Sequence, residues 1–353
     1  MTTLSPVSIV GFAGCTSLGY SLESTLAAMG AGLSNFTDTA VPNEFGRAAV
    51  AASLVETNAP RGERLAALLS HGLDDTRPLM SQHDLRNVPL LIGVASDLGP
   101  DEQEMVRAVL RDKDSPIGDT AWFPQGRAST FAALSAAMDI IDRRSHPVVL
   151  VVGVDSLCAP ATVSSLVRDG RVLSPFTEGT IPGEAAAFAL LARSDDPIVD
   201  PASSVRLETV AVDRAATPFL RAQVVSGDAL TAVFRTLRNG GARRVHRIIA
   251  AHSGEGYFAR SLAHAYLREV EMMPEPLTVE LIADRVGDVG AAAGILGLAF
   301  GVYLMAQDDR DGGGRVLAYS ESDTGEVGGA ILDGAPKSWR RAHAPSMTDP
   351  RRQ

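Results

Sequence analysis

Cysteine is nearly absent from this chain: 353 residues hold two, Cys15 and Cys158, and neither has the partnered histidine spacing of a metal site. A disulfide framework and a zinc centre are therefore not indicated, and both thiols read as small core residues. Basic charge is short as well, with 32 Lys and Arg against 42 Asp and Glu for a net charge of −10. The arginines gather only in short clusters such as Arg243-Arg244 and Arg340-Arg341, so no surface tracks phosphates and nucleic acid is not an expected partner. The chain opens without a basic n-region or a cleavage site. Its longest apolar runs are broken by Gly and Ala in the manner of core helices, short of membrane-span length. These absences lead us to expect a cytoplasmic protein with no membrane span, no cofactor and no metal.

What is present suits a large core: 45% apolar and 21% charged residues over this length predict two domains or one large duplicated one. Apolar runs of strand type lie at 7–11, 88–94, 148–154, 185–191, 205–212, 247–251, 315–319 and 328–332. Helical stretches at 64–71, 104–110, 129–142, 229–238 and 262–270 fall between them. Alternation of this kind predicts an α/β architecture with mostly buried sheets.

The stretch from Gly287 to Phe300, which opens Gly287-Asp288-Val289-Gly290-Ala291-Ala292-Ala293-Gly294, predicts a helix with small residues on almost every face. Each Gly costs helix propensity, so such a helix makes sense only where another backbone must approach closely. Its first turn, a place of unpaired N–H groups and partial positive charge, would carry Asp288. The two halves of the chain also rhyme. A small-residue helix at 129–142 and a strand at 148–154 lead to Gly183-Glu184 and an apolar strand; a strand at 247–251 and the helix at 287–305 lead to Gly325-Glu326 and another. A duplicated unit follows, with the two small-residue helices packed together. Its halves run 1–196 and 203–335, joined near Pro197–Pro201, and residues 336–353 form a mobile tail.

This organisation resembles the thiolase superfamily, and within it the β-ketoacyl synthases. Ile9-Val10-Gly11-Phe12 with Thr16-Ser17-Leu18-Gly19 resembles the family's first strand and turn. Val152–Ser156 resembles the strand after the nucleophile helix, and Ile181–Ala187 its Pro-Gly-Glu segment. His252–Gly256 resembles its His-Gly-Thr-Gly-Thr motif, and Gly287–Gly294 its Gly-His…Gly-Ala-Ala-Gly helix. The resemblance spans 7–335 and implies a five-layer αβαβα fold of two pseudo-symmetric halves, with a dimer through the strand after the first central helix.

Active members of the family are known for a Cys at the start of the first central helix and two supporting His. Aligning 133–137 with that helix puts Arg127 at the Cys position, and a slip of one residue gives Gly126 or Ala128. His252 matches the first His and Asp288 the second. Ala283 stands for the Lys before it, and Ser320–Gly325 replaces the glycine-rich loop. A guanidinium is no nucleophile, and a carboxylate opposes oxyanion stabilisation. Arg127 at a helix N-terminus also needs an offsetting charge. Two arrangements stay open: an Arg127–Asp288 ion pair filling the former site, or two unrelated exposed side chains. Ser129 is the candidate rescue nucleophile with His252 as its base, or else a helix cap. Asp155 and Glu184 are expected to hold turns and backbone amides.

The resemblance implies two functions. One is a noncatalytic accessory with a protein partner, forming a homo- or heterodimer: either an adaptor or chaperone, as for a type VI secretion effector, or a chain-length-factor-like subunit of an active ketosynthase. The other is an acyltransferase or 3-oxoacyl synthase-related enzyme with a non-standard nucleophile, using acyl-carrier protein or acyl-CoA.

Overall fold

The computed structural model describes residues 6–334 apart from 56–57, 84, 112–116, 222–223, 242–243 and 308–313. The expected tail at 336–353, with Arg340-Arg341, and Arg243 of the other arginine cluster lie outside the described residues. The first half runs β1 (Val7–Thr16), α1 (Leu22–Gly30), β2 (Thr37–Pro42), β3 (Ala48–Ala51), α2 (Arg61–Gln82), β4 (Val88–Gly93), α3 (Pro100–Leu110), β5 (Ile117–Phe123), α4 (Ser129–Asp142), β6 (Val148–Ser156), α5 (Pro160–Arg168) and β7 (Glu184–Arg193). The second runs β8 (Val205–Arg214), α6 (Asp228–Asn239), β9 (Arg247–Ala250), α7 (Gly256–Arg268), β10 (Val279–Leu281), α8 (Ala283–Val286), α9 (Ala293–Gln307), β11 (Arg315–Glu321) and β12 (Glu326–Asp333).

The duplication is explicit in the strand order. One half-sheet is β5-β4-β6-β7-β1 and the other β10-β9-β11-β12-β8. Position by position the senses agree: the outer two pairings of each are parallel and the inner two antiparallel. A short antiparallel ladder between Val7–Ile9 and Val205–Leu207 joins the half-sheets edge to edge.

Strand β6 and its neighbour β7 are buried on both faces, which is why they read as unbroken apolar runs rather than alternating ones. Their side chains still divide with period two. Val149, Val151, Ala187 and Ala189 face a central core with α1, α4 and α9; Leu150, Val152, Phe188 and Leu190 face an outer core under α2 and α3. A matching outer core lies under α6 and α7. The central core spans both faces of the middle helical layer and the two outer cores flank it, which gives five layers, αβαβα. Helix α9 is apolar all round because it is central: a Cβ on Gly294 would come within 2.2 Å of Thr130 Oγ1 on α4.

Several expectations change. The apolar run does reach span length, since Gly290–Gln307 is 18 residues at mean hydropathy 1.5, but 89% of it is buried in the fold. The central helix begins at Ala293 behind a 3₁₀ turn at Gly290–Ala292, so Asp288 precedes the helix rather than lying in its first turn. Pro78 sits within α2, which continues to Gln82, well past the expected end at 71. Strands β2, β3, β5 and β10 and helix α5 were not expected. The strand after the first central helix, β6, pairs on both sides, so a dimer cannot add to it. The edge of that half-sheet is β5, which precedes α4.

Candidate functional site

Helix α4 starts at the mouth of the central layer, led in by a 3₁₀ turn at Gly126–Ala128 in which Gly126 takes φ +58°. This turn and the Gly287–Gly290 turn of the second half face each other. Gly287 and Gly290 both have positive φ, and Asp288 Oδ1 accepts the Gly290 N–H at 3.1 Å.

Arg127 and Asp288 therefore meet. Arg127 Nε donates to Asp288 Oδ1 at 2.9 Å, and Nη2 donates to Oδ2. The side chains are 5% and 1% exposed, so the reading of two unrelated exposed side chains is overturned. Burial alone would disfavour the cation, but Asp288 and then Asp323 hold the Arg127 pKa above its ordinary value.

The network goes further than the sequence suggested. Arg127 Nη1 donates to Asp323 Oδ1 at 2.5 Å, and Arg171 Nη1 donates to Asp323 Oδ2 at 2.7 Å. Arg171 Nε and Nη2 donate to Glu255 at 2.7 and 2.9 Å. Asp323 titrates at about 2: burial would raise it, and the two guanidiniums outweigh burial. Ser322 closes the same mouth. Its Oγ accepts the Ala128 N–H at 3.0 Å and donates to the Gln125 carbonyl, so the second half caps the start of α4.

His252 is buried and engaged on both nitrogens. Its Nδ1 lies 2.6 Å from the Ser253 carbonyl oxygen, which can only accept, and Nε2 lies 3.1 Å from the Tyr319 hydroxyl. Burial lowers its pKa to about 4, with a smaller push from Arg127, so at neutral pH the ring is the Nδ1–H tautomer accepting from Tyr319. Phe258 stacks on it at 5.0 Å. Neither nitrogen is bonded to Ser129.

Ser129 is 0% exposed and its Oγ has no hydrogen-bond partner among the described residues. It makes no cap bond, so the capping expectation fails; the end of α4 is capped from outside by Ser322. The chemical consequence is that the site holds a neutral imidazole, a buried hydroxyl without a base, and paired charges. Cys15 and Cys158 are buried elsewhere, and burial pushes the Cys15 thiol up to about 12.

Asp155 and Glu184 bind groups within the protein itself. Asp155 accepts from Arg61 at 3.0 Å and from the Ala291 N–H at 3.1 Å, tying β6 to the Gly290–Ala292 turn. Glu184 accepts from Arg64, Ser156 and the Leu54 and Val55 N–H groups, and the Arg64–Glu184 pair is fully buried. Sequence reasoning missed Arg171, Glu255 and Asp323. Glu255 lies in the 252–256 stretch that resembles a family motif and Asp323 in the 320–325 stretch that replaces the family's glycine-rich loop, but no local pattern marks Arg171.

No family model matches the chain, and none of the curated proteins compared with it matches. Solved structures do. The ketosynthase from module 6 of the bacillaene synthase of Bacillus subtilis 168 superposes with a TM-score of 0.69 at 12% identity, covering 93% of this chain and 72% of that one. The Streptomyces albus JA3453 oxazolomycin ketosynthase domain gives 0.70 at 14% identity, over 94% and 74%. The ishigamide ketosynthase/chain length factor gives 0.71 at 16% identity, over 94% and 99%. The fold is thus the thiolase-like fold of the ketosynthases.

Proposed function

We propose that this chain is a noncatalytic ketosynthase-fold subunit that acts by binding another protein, with residues 1–196 and 203–335 as its two halves. The observation that carries the reading is the Arg127–Asp288 pair. It occupies the start of α4 and the facing turn with charges already satisfied by each other and by Asp323. A condensing site needs a nucleophile and donors free to meet a developing oxyanion. Here Arg127 is spent on carboxylates, Ser322 takes the Ala128 N–H, and His252 is spent on Ser253 and Tyr319.

The partner class we favour is a catalytic ketosynthase, with which this protein forms a cytoplasmic heterodimer through the edge of β5. The likeness to the ishigamide ketosynthase/chain length factor supports it, since the match covers 99% of that protein's length against 72% and 74% for the two synthase domains. The fold gives no support of its own to a secretion-effector partner. The enzyme alternative rests on Ser129, whose hydroxyl has no base bonded to it among the described residues.

Two measurements test the reading. Incubation with acyl-CoA and with acyl-carrier protein, followed by intact mass spectrometry, is expected to leave the protein unmodified; a stable adduct mapping to Ser129 would restore the enzyme reading. Affinity capture from the native host should retain a ketosynthase. Recovery of a secretion effector instead would replace that partner with the adaptor role.

A further inference from the structure

Arg127 and Arg171 share a pattern. Each commits its Nε and Nη2 edge to a carboxylate of its own, Asp288 for Arg127 and Glu255 for Arg171. Each then offers Nη1 to a third carboxylate between them, and Asp323 receives one donor on each oxygen, at 2.5 and 2.7 Å. Aromatic faces back both guanidiniums, Phe258 at 5.4 Å from the Arg127 carbon and Phe219 at 4.9 Å from that of Arg171. Both arginines come from the first half of the protein and Asp323 from the β11–β12 turn of the second.

The charges make Asp323 the exchangeable member. Asp288 and Glu255 already neutralise the two cations, so Asp323 adds a negative charge to a balanced set. The two guanidiniums attract it and each gives it one charge-assisted hydrogen bond, but neither cation needs it for neutrality. It is also the member most open to water, with 27% of its side chain exposed against 5% for Arg127 and 12% for Arg171.

We propose that the Nη1 groups of Arg127 and Arg171 form a carboxylate-binding site, which the protein's own Asp323 fills as an internal ligand and which a carboxylate on a partner protein can take over. Such a group is an Asp or Glu side chain or a free C-terminal carboxylate. Displacing Asp323 removes one tie of the β11–β12 turn and leaves it to Ser322 against Gln125 and Ala128 and to the Ala215 N–H, which donates to the Gly325 carbonyl at 2.7 Å. Any partner protein that presents a carboxylate, a ketosynthase or another, can occupy this site.

The test uses the full-length protein and formate, the group that Asp323→Ala deletes. Thermal unfolding of D323A is followed against sodium formate, with sodium chloride at equal ionic strength as the control. The midpoint of D323A should lie below wild type in chloride and rise saturably with formate, as binding to the native state requires. Wild type and the double variant R171A/D323A should show no formate-specific rise. D323S serves identically should D323A not fold in chloride. No formate-specific stabilisation of either variant overturns the site, as does an equal response in the double variant. Displacement is tested on wild type by hydrogen exchange of residues 320–326. Exchange should be several-fold faster in molar formate than in chloride, and equal rates overturn the exchangeable role of Asp323.

Discussion

Arg127 and Asp288 meet edge to edge across the two halves of the molecule, Nε to Oδ1 at 2.9 Å, with less than a tenth of either side chain in contact with water. Taking two charges out of water costs more than their attraction returns unless every donor and acceptor is satisfied. Here Asp323 and the Gly290 N–H complete the set.

Breaking the pair from one side should therefore be expensive. Asp288→Ala leaves a buried guanidinium short of its principal partner and should lower unfolding stability by about 3–5 kcal/mol. Arg127→Met with Asp288→Leu removes both charges and should recover most of that loss. Urea unfolding of the two variants against wild type measures the difference. Equal stability of single and double variants would mean that the pair is not coupled.

Glu321 gives a pH dependence with a definite sign. It is buried at the end of β11, where among the described residues only Oε2 has a partner, the Ser261 hydroxyl at 2.8 Å. Burial raises its pKa to about 8, and the Ser261 bond only partly opposes this. The folded carboxyl thus holds its proton where the unfolded one, with an ordinary value of 4.5, has lost it. Its contribution is fully present below pH 4.5 and is lost as pH rises to about 8, at up to about 1.4 kcal/mol per pH unit. Glu321→Gln keeps an acceptor for Ser261 without the titration. Its stability measured from pH 5 to 8 should be flatter than that of wild type by this slope.

How much of this was legible in the sequence follows from what kind of signal each feature leaves. The layers were readable because β6 and β7, buried on both faces, had to be apolar throughout, and because α9 had to be small and apolar all round. Edge strands leave a weaker trace. Strand β5 mixes exposed and half-buried residues, and β10 is three residues long, so neither shows a clean period. In the site, Arg127, His252 and Asp288 were found through motif order, since a helix start and its facing turn sit at fixed places in a repeated unit. Arg171 and Asp323 were not, because their partnership spans 152 residues of sequence and depends on how two turns happen to face. Ser129 was misjudged as a cap because helix starts favour Ser locally, whereas here a residue from the other half supplies the bond.

His252 should titrate far from the usual imidazole range. Its folded pKa is about 4, below the ordinary 6.5, chiefly from burial. Proton uptake by the unfolded state then makes this residue's contribution present above pH 6.5 and lost progressively as pH falls to about 4. Ring-carbon NMR shifts of His252 should stay constant from pH 8 to 6 and report the Nδ1–H tautomer. A midpoint near 6.5 would show that the ring is open to water.

The close approach of α4 and α9 is tested at Gly294. A Cβ there would lie 2.2 Å from Thr130 Oγ1 and 3.0 Å from a Phe131 ring carbon, whereas one on Gly297 would meet nothing nearer than the Ala251 methyl at 3.2 Å. On helix propensity alone, Gly→Ala should stabilise either position by up to about 1 kcal/mol. Overpacking opposes this by typically 1–3 kcal/mol where the backbone cannot move. Thr130 and Phe131 are both fully buried, so the clash should win at Gly294. Gly294→Ala is expected to lose stability, and Gly297→Ala to change it by less than half as much, in paired denaturant unfolding curves. If both substitutions stabilise equally, the Thr130 and Phe131 side chains of α4 do not press on the α9 backbone at Gly294, and the small-residue pattern of α9 has another cause.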